Sequence, residues 1–209
     1  MAPEVIPLAG TDSGDPRSGY RAAVPPAPVL IRPPTPDDAE RIAAVHTRSW
    51  QALGGVLDPG YLAGLDLAAS AARWRSKLAD PNPPTRDLVA EVDGLVVGLA
   101  SYGRSFDPDA PWTGPSTLGE LQHLYVDPAH WSAGIGAALY DAALTALAAD
   151  GFATGRLWVI RGNDRAIGFY CRRGWRPDTL LRHEGEDPTG WTEQRYLLPD
   201  LAERFGPRP

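Results

Sequence analysis

One cysteine, Cys171, stands among the 209 residues. A single thiol excludes an internal disulfide and a cysteine-based metal cluster, and it suits a reducing, cytoplasmic setting. Also missing is any apolar run long enough to cross a bilayer. The first residues lack the basic region and apolar stretch that a secretory signal would show. There is no Lys/Arg-rich stripe, and the net charge is −6. Both facts argue against nonspecific nucleic-acid binding and leave a mildly acidic surface suited to a cationic or amine partner. No internal repeat is present. What the chain does have is an apolar content of 43%, enough for the core of one ordinary domain.

Residues 1–27 are rich in Pro, Gly, Ser and Asp and lack periodicity, so they are expected to form a flexible or loosely docked extension. The folded domain is expected over 28–199, with 200–209 as a C-terminal tail. A strand at 29–32 precedes a helix opened by Thr35 as N-cap, with Pro36 in its first turn. One or two further helices are expected between Tyr61 and Leu78. A hairpin follows, with strands 87–92 and 95–102 joined by Asp93-Gly94, a pair suited to a type I′ turn. A loop containing Trp112 spans 105–117. Then come strand 118–126, helix 132–149, strand 155–160, helix 164–173 and closing strands at 176–183 and 191–198. This order implies an α/β (α+β) sandwich: a mixed, mostly antiparallel sheet of about seven strands flanked by helices.

The segment from Leu121 to Gly136 carries the densest information. An apolar strand ends at Asp127-Pro128, crosses a short loop and enters a helix through Gly134-x-Gly136. Such a helix start offers unpaired N–H groups and the positive end of its dipole to an anion. A tight turn without a ligand would read the same way. The segment Leu157 to Trp175 gives a strand, an Asn163-led turn and a short helix that stops at Gly174.

Together these two segments resemble the GNAT superfamily of acyl-coenzyme A-dependent N-acetyltransferases. The resemblance covers residues 28–199 and is concentrated in 118–176. It implies a sheet splayed near strand 118–126, with Leu124, Tyr125 and Val126 offering backbone groups to pantetheine. It further implies a pyrophosphate held by Ser132, Ala133, Gly134, Ile135, Gly136 and Ala137, with Asn163 as a coenzyme contact. The chain departs from the family's Gln/Arg-x-x-Gly-x-Gly/Ala turn. Trp131 takes the first position, Ser132 stands where another glycine is common, and no Lys or Arg occurs between Val126 and Leu139.

Acetyl transfer to an amine needs a proton acceptor for the amine and a proton donor for the departing thiolate. Tyr170, seven residues after Asn163, matches the family's thiolate-protonating tyrosine. Glu120, six residues before Val126, matches the position of a catalytic Glu in some members. In a regular strand Glu120, Gln122 and Leu124 share one face, and His123 points to the other; a bulge would reverse His123. The family's alternative acidic position, five before Asn163, holds Trp158. His46 and Trp50, one helical turn apart, are candidates for the acceptor pocket. Tyr61, Trp74, Trp112 and Trp191 lie in the same half.

The expected activity is N-acetylation of a primary amine of a small molecule or peptide. Acetyl-CoA is the co-substrate, and no metal, nucleic acid or membrane takes part. Two alternatives accompany it: a noncatalytic acyl-CoA-binding regulatory module, and O-acyl transfer in toxin or antibiotic resistance. A homodimer is compatible with this reading. The missing Lys and Ser/Thr of a P-loop argue against a nucleotide phosphotransferase.

Overall fold

A computed structural model describes residues 4–6, 28–105, 118–185 and 189–207. The strands are β1 (Glu4–Ile6), β2 (Val29–Arg32), β3 (Arg86–Val92), β4 (Leu95–Arg104), β5 (Leu118–Val126), β6 (Thr154–Ile160), β7 (Arg176–Glu184) and β8 (Trp191–Leu198). The helices are α1 (Ala39–Gln51), α2 (Pro59–Ala63), α3 (Leu67–Ala79), α4 (Ile135–Ala149), α5 (Asp164–Cys171) and α6 (Leu201–Phe205). All eight strands join one sheet in the order β1-β2-β3-β4-β5-β6-β8-β7. Among the described residues only the β5–β6 pair is parallel, as a strand–helix–strand crossover through α4 requires.

Local chemistry accounts for most element limits. Asp93 (φ 50°) and Gly94 (φ 76°) both occupy the left-handed region that a type I′ hairpin demands. Asp58, Asp66 and Asn163 each accept a backbone N–H as N-caps of α2, α3 and α5. The start of α4 differs from the expected 132: the helix begins at Ile135, with Gly134 as its N-cap.

Two apolar layers sandwich the sheet. On one face α4 packs Ile135, Leu139, Ala143, Leu144 and Leu147 against strand residues including Leu121, Leu157 and Leu198. On the other, α1 and α3 pack Ile42, Ala43, Ala71 and Trp74 against Val89, Val96 and Leu99. Two elements fall where the sequence implied none. Three residues of the N-terminal extension, Glu4–Ile6, pair antiparallel with β2 at the sheet edge. The C-terminal stretch forms α6, whose Leu201 is fully buried. Neither is long enough to show a periodicity. The expected loop with Trp112 lies outside the described residues.

Candidate active site

The sheet opens where β5 and β6 part company. Their parallel pairing covers only Leu118, Glu120 and the residue between, opposite Thr154 to Arg156. Beyond it β6 continues with β8 and β5 continues with β4. Between the diverging strands lies a cavity of about 550 Å³, lined by Glu120, Leu124, Tyr125, Asn163, Tyr170 and Trp50 among others. The Asp127 N–H bonds Val97 of β4. Strand alternation then turns the N–H and C=O groups of Leu124 and Val126 to the open side.

β5 is not a regular strand. Ser101 faces His123 while the next residue, Tyr102, faces Leu121, so Gln122 is the extra residue of a bulge. Before the bulge Gly119 and Leu121 face α4; after it Leu124 and Val126 do. The expectation that Glu120, Gln122 and Leu124 share a face is therefore corrected. The bulge brings His123 and Tyr125 to the face that carries Glu120.

Glu120 is buried, and its Oε2 accepts from Arg156 Nη2 at 2.7 Å. Adjacent strands make this pair, since Glu120 and Arg156 are register partners. Arg156 belongs to a strand otherwise rich in apolar residues, and its charge there was the signal for a buried partner. Trp158, on the same face of β6, has the guanidinium of Arg182 at 4.4 Å from its ring centre. Arg182 in turn pairs with Glu193 at 2.7 Å and Glu184 at 3.1 Å.

Tyr170 is 8% exposed and contacts Phe169 and Trp175 edge-on. Burial, followed by the nearby Tyr125 and Tyr140, raises its pKa, so the phenol stays protonated throughout the neutral range. Asn163 caps α5: its Oδ1 accepts from the Ala166 N–H at 3.1 Å, leaving the amide nitrogen as a donor at the cavity.

Aromatic side chains close the end of the cavity nearest α1. Trp50 donates to the Tyr125 hydroxyl at 3.2 Å and lies 5.0 Å, centre to centre, from Trp191. Tyr61 completes this group, 5.0 Å from Trp191. His46 does not line the cavity; it stacks on Tyr125 behind the wall, at 4.8 Å. Burial lowers the pKa of His46 to about 4, helped by the charge of Arg73. Burial lowers that of His123 to about 3, helped by His46 and Lys77.

These two imidazoles predict acid sensitivity. Both are neutral in the fold but take up a proton near pH 6.5 once unfolded, so the unfolded state binds more protons below that pH. Stability is complete above about pH 7 and falls as the pH drops toward 4, by about 1.4 kcal/mol per pH unit for each histidine. Urea melts from pH 7 to pH 4.5 should show this slope, and His123→Phe should reduce it by one proton. An unchanged slope would show that His123 is already charged in the fold.

The turn before α4 forms a second part of the site, outside the cavity. Ser132, Ala133 and Gly134 are exposed, with Ser132 at φ 64° and Gly134 at φ 80°. Ile135 buries its side chain in the core, so only its backbone is on offer. The first helical bonds come from Ala137 and Ala138, both to the Gly134 carbonyl, which leaves the Ile135 and Gly136 N–H groups without helical acceptors. A methyl group on Gly136 would meet Val126 and Phe169 only at 3.6 and 4.0 Å, so packing within the chain does not demand glycine there. Trp131 donates its indole N–H to the Val126 carbonyl at 2.8 Å, and Ser49 donates to the same oxygen at 3.2 Å. That carbonyl, expected to be open to pantetheine, thus already has two partners.

The model of the acetyltransferase (GNAT) family matches residues 50–175. An uncharacterized N-acetyltransferase of Mycobacterium tuberculosis is 35% identical over 143 residues, covering 66% of this chain and 83% of the relative. A phosphinothricin N-acetyltransferase of Streptomyces viridochromogenes is 31% identical over 123 residues, covering 58% of this chain and 64% of that enzyme. Among solved structures, an N-acetyltransferase from Staphylococcus aureus superposes with a TM-score of 0.62 at 21% identity, covering 83% of this chain and 98% of its own. The PaiA N-acetyltransferase from Thermoplasma acidophilum, solved with coenzyme A, gives 0.58 at 20% identity and coverages of 79% and 97%. These two similarities bear on the fold.

Proposed function

The chain belongs to the acetyltransferase (GNAT) family and is an acyl-CoA-dependent N-acetyltransferase, and we propose that it moves the acetyl group of acetyl-CoA directly onto a primary amine of a small molecule or peptide. The observation that carries this reading is the parting of β5 from β6, which places Glu120, Leu124, Asn163 and Tyr170 around one cavity. Direct attack needs both substrates bound together, and the cavity has two differing ends to receive them. The Asn163 and Tyr170 end adjoins α4, and the Trp50 and Trp191 end adjoins α1.

In this reading the exposed turn from Ser132 to Gly134 and the N–H groups of Ile135 and Gly136 hold pyrophosphate. The α4 dipole assists them. Ala137 belongs to the same first turn, though its own N–H already bonds the Gly134 carbonyl. The open backbone edge at Leu124 and the Asn163 amide hold pantetheine, with Tyr125 between Leu124 and Val126 as part of that edge. Glu120 takes the amine's proton through a water, using the oxygen that Arg156 does not occupy. Tyr170 donates its hydroxyl hydrogen toward the sulfur as the C–S bond breaks and the C–N bond forms. The amine loses one proton and the thiolate gains one, so the reaction leaves an amide and free thiol. Trp50 and Trp191 shape the acceptor side, with His46 supporting Tyr125 from behind. The lone thiol, Cys171, fits a cytoplasmic setting.

Gly136 supplies the direct test. Gly134 sits at φ 80° and would be strained by any side chain, so it is unsuitable for separating binding from folding. Gly136→Val adds bulk beside the pyrophosphate N–H groups while meeting its protein neighbours near ordinary contact distance. Calorimetry should show acetyl-CoA affinity falling by about tenfold or more, equivalent to at least ~1.4 kcal/mol. The melting temperature should stay within a few degrees. Absence of acetyl-CoA binding to the unmutated protein would overturn the coenzyme assignment. A coenzyme-release screen over amines, amino acids, aminoglycosides and peptides identifies the acceptor.

A further inference from the structure

An anionic pyrophosphate held at the start of α4 would find no basic side chain in the turn itself, since neither Lys nor Arg occurs between Val126 and Leu139. Arg48 comes near the strand end, but Asp127 takes it, with a 2.5 Å contact. The side chain that remains comes from another element. Arg165 is exposed in the first turn of α5, and its guanidinium carbon lies 4.0 Å from the centre of the Trp131 ring. Trp131 is itself fixed by its bond to the Val126 carbonyl, so the guanidinium rests on an anchored platform. The start of α4 also comes near α5: a methyl placed on Gly136 would touch Phe169, in the second turn of α5, at 4.0 Å. Among the described residues no carboxylate pairs with Arg165, and Asp164 beside it is exposed. The planar face of the guanidinium is used on the indole, while its five N–H donors lie around the rim.

We propose that Arg165, seated on Trp131, supplies the cation that holds the coenzyme's pyrophosphate. The inference rests on the coenzyme reading of the turn. It accounts for one departure of this chain from the family pattern. Trp131 takes the position usually held by Gln or Arg, and by stacking it returns a positive charge to that place from α5.

The full chain should be titrated calorimetrically with coenzyme A and with 3′-dephospho-coenzyme A. Arg165→Gln should weaken both by roughly 10–100-fold, the range of a hydrogen bond to a charged group, with the melting temperature unchanged because the side chain is exposed. Arg165→Lys should fall between, since it keeps the charge and loses the planar stack. Adding Trp131→Arg to Arg165→Gln should recover most of the affinity by placing a cation in the turn directly. Affinity of the unmutated protein should also fall more steeply with salt than that of Arg165→Gln. Unchanged binding by Arg165→Gln would overturn the proposal. So would a loss seen with coenzyme A but absent with the dephospho form, which would assign Arg165 to the 3′-phosphate. If the unmutated protein binds neither nucleotide, the coenzyme reading itself fails, a result distinct from any difference between variants.

Discussion

Tyr170→Phe is expected to lower kcat by about 10²–10⁴-fold, the usual contribution of a positioned acid or base, while acetyl-CoA affinity stays nearly unchanged. The substitution removes one oxygen and keeps the ring that contacts Phe169 and Trp175. Folding should therefore be little affected, and a loss of rate reports on the hydroxyl. Its raised pKa means that no titration of Tyr170 should appear in the pH profile between pH 6 and 9. Single-turnover rates at saturating acetyl-CoA make the measurement, because they isolate chemistry from product release. A variant rate within about threefold of the unmutated enzyme under those conditions would remove Tyr170 from the mechanism.

Arg156→Met should be the most destabilising single change at the site. Arg156 is 1% exposed and Glu120 7%, so removing the guanidinium leaves a carboxylate buried without its counter-charge. Breaking such a pair costs about 3–5 kcal/mol, whereas replacing both members by uncharged groups of similar volume is often close to neutral. Urea unfolding should show that loss for Arg156→Met and recovery of most of it when Glu120→Gln is added. If the single variant loses less than about 1 kcal/mol, as an exposed ion pair would, water reaches Glu120 freely and the pair is not a buried one. The kinetic companion is Glu120→Gln alone, which should lower the single-turnover rate by about 10²–10⁴-fold, the usual contribution of a positioned base.

Most of the fold was legible because its elements carry local marks. The Asp93-Gly94 hairpin, the apolar run of β4, the apolar stripe of α4 and the Asn163 cap each follow from residues a few positions apart. The strand–helix–strand order then leaves few arrangements for the sheet. The family resemblance pointed to the opening beside β5. What could not be read depends on residues distant in sequence. Glu120 and Arg156 are 36 positions apart, and only the short parallel pairing of β5 with β6 makes them neighbours. Trp131 and Arg165, on different elements, likewise meet only in the fold. The bulge at Gln122 has no sequence signature, and it alone decides whether His123 or Leu124 faces the acceptor side. His46 and Trp50 were grouped by helical spacing. The structure keeps the two rings in edge-on contact, 5.6 Å between centres, but only Trp50 reaches the cavity.

The bulge also fixes how β5 answers a change in length. Ser101 pairs with His123 and Tyr102 with Leu121, so without Gln122 the two flanking residues would follow one another in regular register against β4. Deleting that exposed residue removes no core contact and no charge. It also leaves Leu121, Leu124 and Val126 on the α4 face, and Glu120, His123 and Tyr125 on the other. The main-chain groups open toward the cavity stay where they are. A codon deletion at 122 is therefore a lighter lesion than its central place suggests, and natural length variation in this enzyme's close relatives should be tolerated at that position.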